Sequence, residues 1–211
     1  MKTHEKTRKT LIDIAWRHQQ PGSGSTLVFL RERTAQVKFP DLTPILHPIP
    51  WAVIGAVATR LYMPERVTRD LDIVIRREDA EAVRSRLKGA GFRYQCELLA
   101  GGSSWLSPDN VPVDVLERPE AWYTQGILEA QQNRDPQGLP VLPLPYLVLM
   151  KFQSGRLQDI ADVARMLGQA NEKMLEATRS LFEKVSPKDV EDLESLIRLG
   201  QLELRPPEAR E

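Results

Sequence analysis

The segment Leu71-Asp72-Ile73-Val74-Ile75 constrains the fold of this chain more than any other. It is β-branched and apolar on both parities, which suits a strand covered on both faces inside a sheet rather than at its edge. Such a strand needs neighbours. Residues 92–99 read as one, and Val111-Pro112-Val113-Asp114-Val115-Leu116 as another, with Gly101-Gly102 as a turn between them. Upstream, Trp51 to Ile54 is either the end of an apolar strand or the start of a buried helix, and Ala56 to Tyr62 is a helix. Downstream, residues 78–89 carry helical spacing with Ala82, Val83 and Leu87 inward, and Gly89 and Gly91 end the run. The order helix, strand, helix, strand, strand predicts an α+β class: a small mixed β-sheet with helices on one side.

Beyond this core the pattern changes. Pro40, Pro44, Pro48 and Pro50 rule out regular helix before Trp51. From Pro145 onward the chain reads as helical, over residues 146–152, 159–167 and 171–184, with Gly155 separating the first two or kinking one longer helix. A fourth helix starts at Ser186 as N-cap, with Pro187 at its first position and Asp189 reaching back in a capping box. At the other end, residues 5–20 form a short basic helix with Leu11, Ile12, Ile14, Ala15 and Trp16 on its apolar side. The run Pro21-Gly22-Ser23-Gly24-Ser25 is then a joint, and residues 27–30 a short strand. The predicted organisation is an N-terminal helix and joint at 1–26, a core at 27–142, a C-terminal helical subdomain at 143–204 and a loose tail at 205–211.

Composition narrows the class of protein. The 211 residues hold 29 Lys+Arg against 29 Asp+Glu, so a site for a polyanion has to be local. With 41% hydrophobic and 27% charged residues, the chain can bury a core. A single cysteine, Cys96, excludes an intramolecular disulfide and argues against a zinc cluster. No run reaches the roughly 18 apolar residues of a membrane span, and the basic, polar start has no signal-peptide pattern. The expected location is cytoplasmic, with no membrane partner.

Asp70 and Asp72 stand two residues apart at the mouth of the central strand, so a strand conformation puts both carboxylates on one face, roughly 7 Å apart at the backbone. Two anions at the mouth of an apolar strand need solvent or a cation, and Mg²⁺ is the natural one because it takes carboxylate oxygens together with substrate phosphates. A lone pair of this kind is also the ordinary acidic turn before a strand. Three neighbours single this one out. Gly55, before a helix, lets backbone N–H groups approach a phosphate. Asp114 sits among apolar residues on what should be an adjacent strand, where an acid needs a reason. Arg66-Val67-Thr68-Arg69 brings guanidinium and hydroxyl groups suited to a triphosphate. Trp51, Tyr62 and Trp105 read as core.

Taken together, Gly55-Ala56-x-Ala58, then Arg66-x-Thr68-x-Asp70-Leu71-Asp72-Ile73-Val74-Ile75, then Val113-Asp114-Val115 resembles the polymerase-beta-like nucleotidyltransferase superfamily. Within it the pattern is similar to the minimal, abortive-infection (AbiEii-like) branch, which includes toxins of type IV toxin–antitoxin systems. Leu147-Val148-Leu149-Met150-Lys151, followed by Gly155-Arg156-x-x-Asp159-x-x-Asp162, extends the likeness, which covers roughly residues 50–168.

The resemblance implies a nucleotidyltransferase core in which Asp70 and Asp72 hold metal and Asp114 completes a triad. Gly55, Ala56, Arg66, Thr68 and Lys151 would bind nucleotide, and Asp159 or Asp162 would finish the site. On one continuous helix Lys151 and Asp162, eleven apart, would share a face, and Asp159 would lie further round. The bare reading of both acids is an exposed face of an amphipathic helix.

The implied reaction moves a nucleoside monophosphate from an NTP such as ATP to a hydroxyl-type acceptor, with two Mg²⁺ ions. The helical half and basic start lean toward tRNA or protein over a small molecule as acceptor, and a cognate antitoxin is an implied partner. One departure stands out. The superfamily's usual Gly-Ser or Gly-Gly-Ser is Gly55-Ala56-Val57 here, so the backbone donors remain while a hydroxyl is absent. The alternative is a catalytically impaired protein of this fold that binds a nucleotide or a partner.

Overall fold

In the computed structural model, residues 9–16, 38–63 and 68–204 are described. The expected strand at 27–30, the joint at 21–25, the rest of the first helix, Arg66 and the tail after Leu204 lie outside them. The described residues form two compact units, one from 38–61 and 68–143, the other from 9–16, 62–63 and 144–204.

The first unit is built on a five-stranded mixed sheet. Its strands are β1 (Ala52–Val53), β2 (Leu71–Arg76), β3 (Arg93–Glu97), β4 (Gly102–Leu106) and β5 (Pro112–Arg118), in the order β1-β2-β5-β4-β3. The β2–β5 pair is parallel and the other pairs are antiparallel. Leu71, Ile73, Val74 and Ile75 are fully buried, so β2 is an interior strand covered on both faces. Helices α1 (Thr43–Leu46), α2 (Gly55–Thr59), α3 (Ala80–Gly89) and α4 (Ala121–Ala130) complete the unit.

Prolines do confine α1 to one turn, with Pro44 in its first turn, where the missing N–H costs nothing. On α3, Val83 and Leu87 are buried as expected but Ala82 is exposed. Arg84 ties α3 to the sheet through Glu117 on β5 and Glu97 on β3. The Arg84 guanidinium bonded to Glu97 outweighs burial and holds that carboxyl down at about 2. Trp51 and Trp105 are core residues, as read from sequence.

Two elements of this unit escaped the sequence reading. Strand β4 hid behind Gly101-Gly102, because Gly102 (φ +125°) opens the strand and only Gly101 (φ +86°) belongs to the turn. An added Cβ at Gly102 would lie 1.9 Å from the Val115 carbonyl oxygen on β5, so the close strand contact requires glycine. Helix α4 buries only Tyr123, Gly126, Ile127 and Ala130, a stripe broken by glycine and polar residues.

The second unit is helical: α5 (Leu144–Ser154), α6 (Leu157–Gln169), α7 (Glu172–Val185) and α8 (Val190–Leu204), with residues 9–16 also helical. Phe152 of α5 and Phe182 of α7 meet edge to face, with ring centroids 5.2 Å apart. Asn171 caps α7 by accepting from the Met174 N–H at 3.0 Å. The capping box expected at Ser186 does not form. Its hydroxyl donates to the Asp189 carboxylate at 2.5 Å, and residues 187–189 make a 3₁₀ turn before α8. Of the apolar side expected at the N-terminal helix, only Ile12 is buried. No helix among the described residues is long and apolar enough to cross a membrane.

Helices α6 and α8 cross at their backbones. A Cβ on Gly200 would lie 1.9 Å from the Ala164 carbonyl oxygen, and one on Gly168 would lie 2.4 Å from Gly200 backbone atoms. Neither neighbour is a side chain that can swing away. Gly200→Ala is therefore expected to destabilise the helical unit by about 1–3 kcal/mol through overpacking, despite alanine's better helix propensity, and urea unfolding followed by ellipticity measures it.

Candidate active site

The central observation is a register. Across the parallel β2–β5 pair, Asp72 lies directly opposite Asp114, between the pairs Leu71–Val113 and Ile73–Val115. Opposed residues on neighbouring strands point to the same face, about 4.8 Å apart at the backbone. Leu71, Ile73, Val113 and Val115 on the alternate parity are buried, whereas Asp72 and Asp114 are half-buried. The two acids thus share a face with access to solvent. Like charges placed opposite each other destabilise a sheet, and no lysine or arginine among the described residues pairs with Asp114.

Gly55 is the second component. It begins α2 with φ +65°, and a Cβ there would fall 1.9 Å from Asp72 Oδ2 and 2.9 Å from its Cβ. Strand β1 delivers the glycine, since the Ile54 N–H donates to the Asp72 carbonyl at 2.9 Å and continues the β1–β2 ladder. The close approach at Gly55 is thus between backbone and the Asp72 carboxylate. Ala56, next along α2, is half-exposed.

Asp70 stands apart from the pair. It is exposed, precedes β2, and its carboxylate accepts a hydrogen bond from the Thr68 hydroxyl. Among the described residues, no group of three or more His, Cys, Asp or Glu side chains gathers closely enough to hold a metal ion. The structure therefore brings Asp72 and Asp114 together and leaves Asp70 turned to Thr68. A pair of half-exposed carboxylates remains a suitable donor set for Mg²⁺, which binds through one or two carboxylates plus substrate phosphates and keeps several waters.

Lys151, Asp159 and Asp162 belong to the helical unit, and there the sequence reading needs correction. Of the two readings of Gly155 (φ +66°), the separator holds and the kink does not: it ends α5 and lets α6 start anew at Leu157, so Lys151 and Asp162 do not share one helix. With two helices, both acids reach the lysine: Lys151 Nζ donates to Asp159 Oδ1 at 2.7 Å and to Asp162 Oδ2 at 3.0 Å. Far from an exposed helix face, the three side chains are buried, at 3%, 4% and 1% exposure. Asp159 also accepts from Ser154 Oγ at 2.5 Å and Arg156 Nε at 2.7 Å. Burial alone would raise its carboxyl. The bonds from Lys151, Ser154 and Arg156 outweigh that and hold it below the ordinary carboxylate range.

Sequence reasoning missed Ser104, whose strand it did not recognise. Ser104 lies opposite Asp114 on β4, so the row Asp72–Asp114 continues to a hydroxyl.

No protein-family model matches the sequence, and no curated protein matches it. Among solved structures the chain is similar to ANT(2")-Ia in complex with adenylyl-2"-tobramycin, at 18% identity and a TM-score of 0.40, covering 82% of this chain and 92% of that one. It is similar to the solution structure of the antibiotic-resistance factor ANT(2")-Ia, at 16% identity and a TM-score of 0.43, covering 82% and 87%. The Cid1 poly(U) polymerase follows at 14% identity and a TM-score of 0.30, covering 72% of this chain and 47% of that one. The first two are structures of one protein, and overlaps this loose carry no weight for the chemistry of this chain.

Proposed function

We propose that this chain is a Mg²⁺-dependent nucleotidyltransferase that moves a nucleoside monophosphate from an NTP to a hydroxyl acceptor. The observation that carries the reading is the Asp72–Asp114 register on one solvent-accessible face, with Gly55 beneath Asp72. Asp72 and Asp114 would hold Mg²⁺, with Asp70 joining once Thr68 releases it. The metal supplies charge neutralisation for the triphosphate. Asp114 takes the proton as the acceptor oxygen attacks the α-phosphorus, and the bond to the bridging oxygen breaks to release pyrophosphate. Arg66 and Thr68 would face the phosphates. On the sequence resemblance Lys151, Asp159 and Asp162 remain proposed nucleotide-binding residues; within the helical unit the lysine donates to both acids. On the sequence resemblance we extend the reading to role, as a growth-arresting toxin with a cognate antitoxin acting on tRNA or protein.

A second reading, binding without transfer, draws support from the ungathered third carboxylate and from Ala56. Incubation with each α-labelled NTP, Mg²⁺ and either total tRNA or cell protein separates the two. Transfer is expected to one pool, and Asp72→Asn or Asp114→Asn should lower it by at least about a hundredfold while the fold persists. The same substitutions should relieve any growth arrest on expression. NTP binding without label on either pool would establish the second reading instead.

A further inference from the structure

The row that carries Asp72 and Asp114 does not end with them. Asp114 pairs with Ser104 across the antiparallel β5–β4 ladder, and Ser104 pairs with Cys96 across β4–β3. Four polar side chains, two carboxylates, a hydroxyl and a thiol, therefore line one face over four strands, roughly 14 Å from end to end at the usual strand spacing. Ser104 is half-exposed and Cys96 exposed. The neighbouring serines are structural: Ser103 Oγ accepts from the Trp105 indole at 2.9 Å, and Ser107 Oγ accepts from the Val111 N–H at 2.9 Å. Among the described residues none hydrogen-bonds the Ser104 hydroxyl.

We propose that Ser104 binds the hydroxyl acceptor, which lies along the row on the side of Asp114 away from Asp72. This rests on the nucleotidyltransferase reading and assigns the two sides of the site. The acids at β2 and β5 face the nucleotide, whereas β4 and β3 face the acceptor. Asp114, between them, is where a proton leaving the acceptor oxygen would be received. Ser104 donates to that oxygen and holds it beside Asp114, and the rest of the acceptor passes over Cys96 toward the sheet edge.

The test uses the whole chain, α-labelled NTP, Mg²⁺ and whichever of the two pools, total tRNA or cell protein, takes label. Ser104→Ala should raise the apparent KM for that pool about five- to tenfold, the worth of one hydrogen bond, with the KM for NTP unchanged. Ser104→Thr, which keeps the hydroxyl, should restore it. As a readout free of substitution, alkylation of Cys96 should slow when the pool is added with NTP. If Ser104→Ala behaves as wild type and Cys96 stays unprotected while transfer proceeds, the acceptor assignment is overturned and the nucleotidyltransferase reading stands. If wild type labels neither pool, both fall.

Discussion

Gly55→Ala is expected to lower nucleotidyl transfer by about a hundredfold while the chain remains folded, because displacement of a reacting group by about 1 Å commonly has that effect. The new methyl would need to occupy space already taken by the Asp72 carboxylate, 1.9 Å from Oδ2 and 2.7 Å from Cγ. Rotation of the carboxylate alone does not clear it, since the Asp72 Cβ is also within 2.9 Å. Asp72 must leave its place opposite Asp114, and the pair that would hold Mg²⁺ is broken. The left-handed backbone at Gly55, φ +65°, adds about 1–2 kcal/mol of strain for any residue with a Cβ. The informative comparison is Asp72→Gly/Gly55→Ala with Asp72→Gly. If steric expulsion of Asp72 is the cause, the second substitution adds no further loss of transfer and only the strain in stability. A Gly55→Ala variant with wild-type transfer would show that Asp72 is not needed where the structure holds it.

How legible the site was follows from the same geometry. Asp72 and Asp114 could be found from sequence because an acid within a β-branched run violates the apolar pattern, and each such violation needs a cause. Their register could not be found that way, because the pairing of β2 with β5 depends on a crossover through α3, β3 and β4. Gly55 was legible as a glycine before a helix, but the close approach of the Asp72 side chain to its backbone was not. Strand β4 was lost because Gly-Gly and Ser-Ser weaken both the strand pattern and the alternation, and Ser104 was lost with it. In the helical unit, the eleven-residue spacing of Lys151 and Asp162 suggested one helix face. A single left-handed glycine at 155 replaced that geometry with a turn that also gathers Asp159.

That turn carries the second large effect. Lys151→Met is expected to destabilise the helical unit by about 3–5 kcal/mol, the usual result of leaving buried charges without their partner. Asp159 would keep Ser154 and Arg156, but both acids would lose a cation that lies 2.7 and 3.0 Å from them at sites almost closed to water. The pH dependence gives the mechanism away. In the wild type, Asp159 is held below its unfolded value, so its contribution is complete above that value and fades as pH falls through the folded one. In Lys151→Met that hold weakens. Asp159 keeps Ser154 and Arg156 but loses its buried cation, so the penalty is greatest at neutral pH and fades as its carboxyl takes up a proton on acidification. The gap between the two proteins should therefore narrow as pH drops from 7 toward 4. Replacing all three groups together, as Lys151→Met/Asp159→Leu/Asp162→Leu, should recover most of the lost stability, because a buried ion cluster exchanged for apolar side chains of similar size is often neutral. A pH-independent loss below about 1 kcal/mol would mean that water reaches the cluster, and that α5 and α6 are joined by their apolar faces alone.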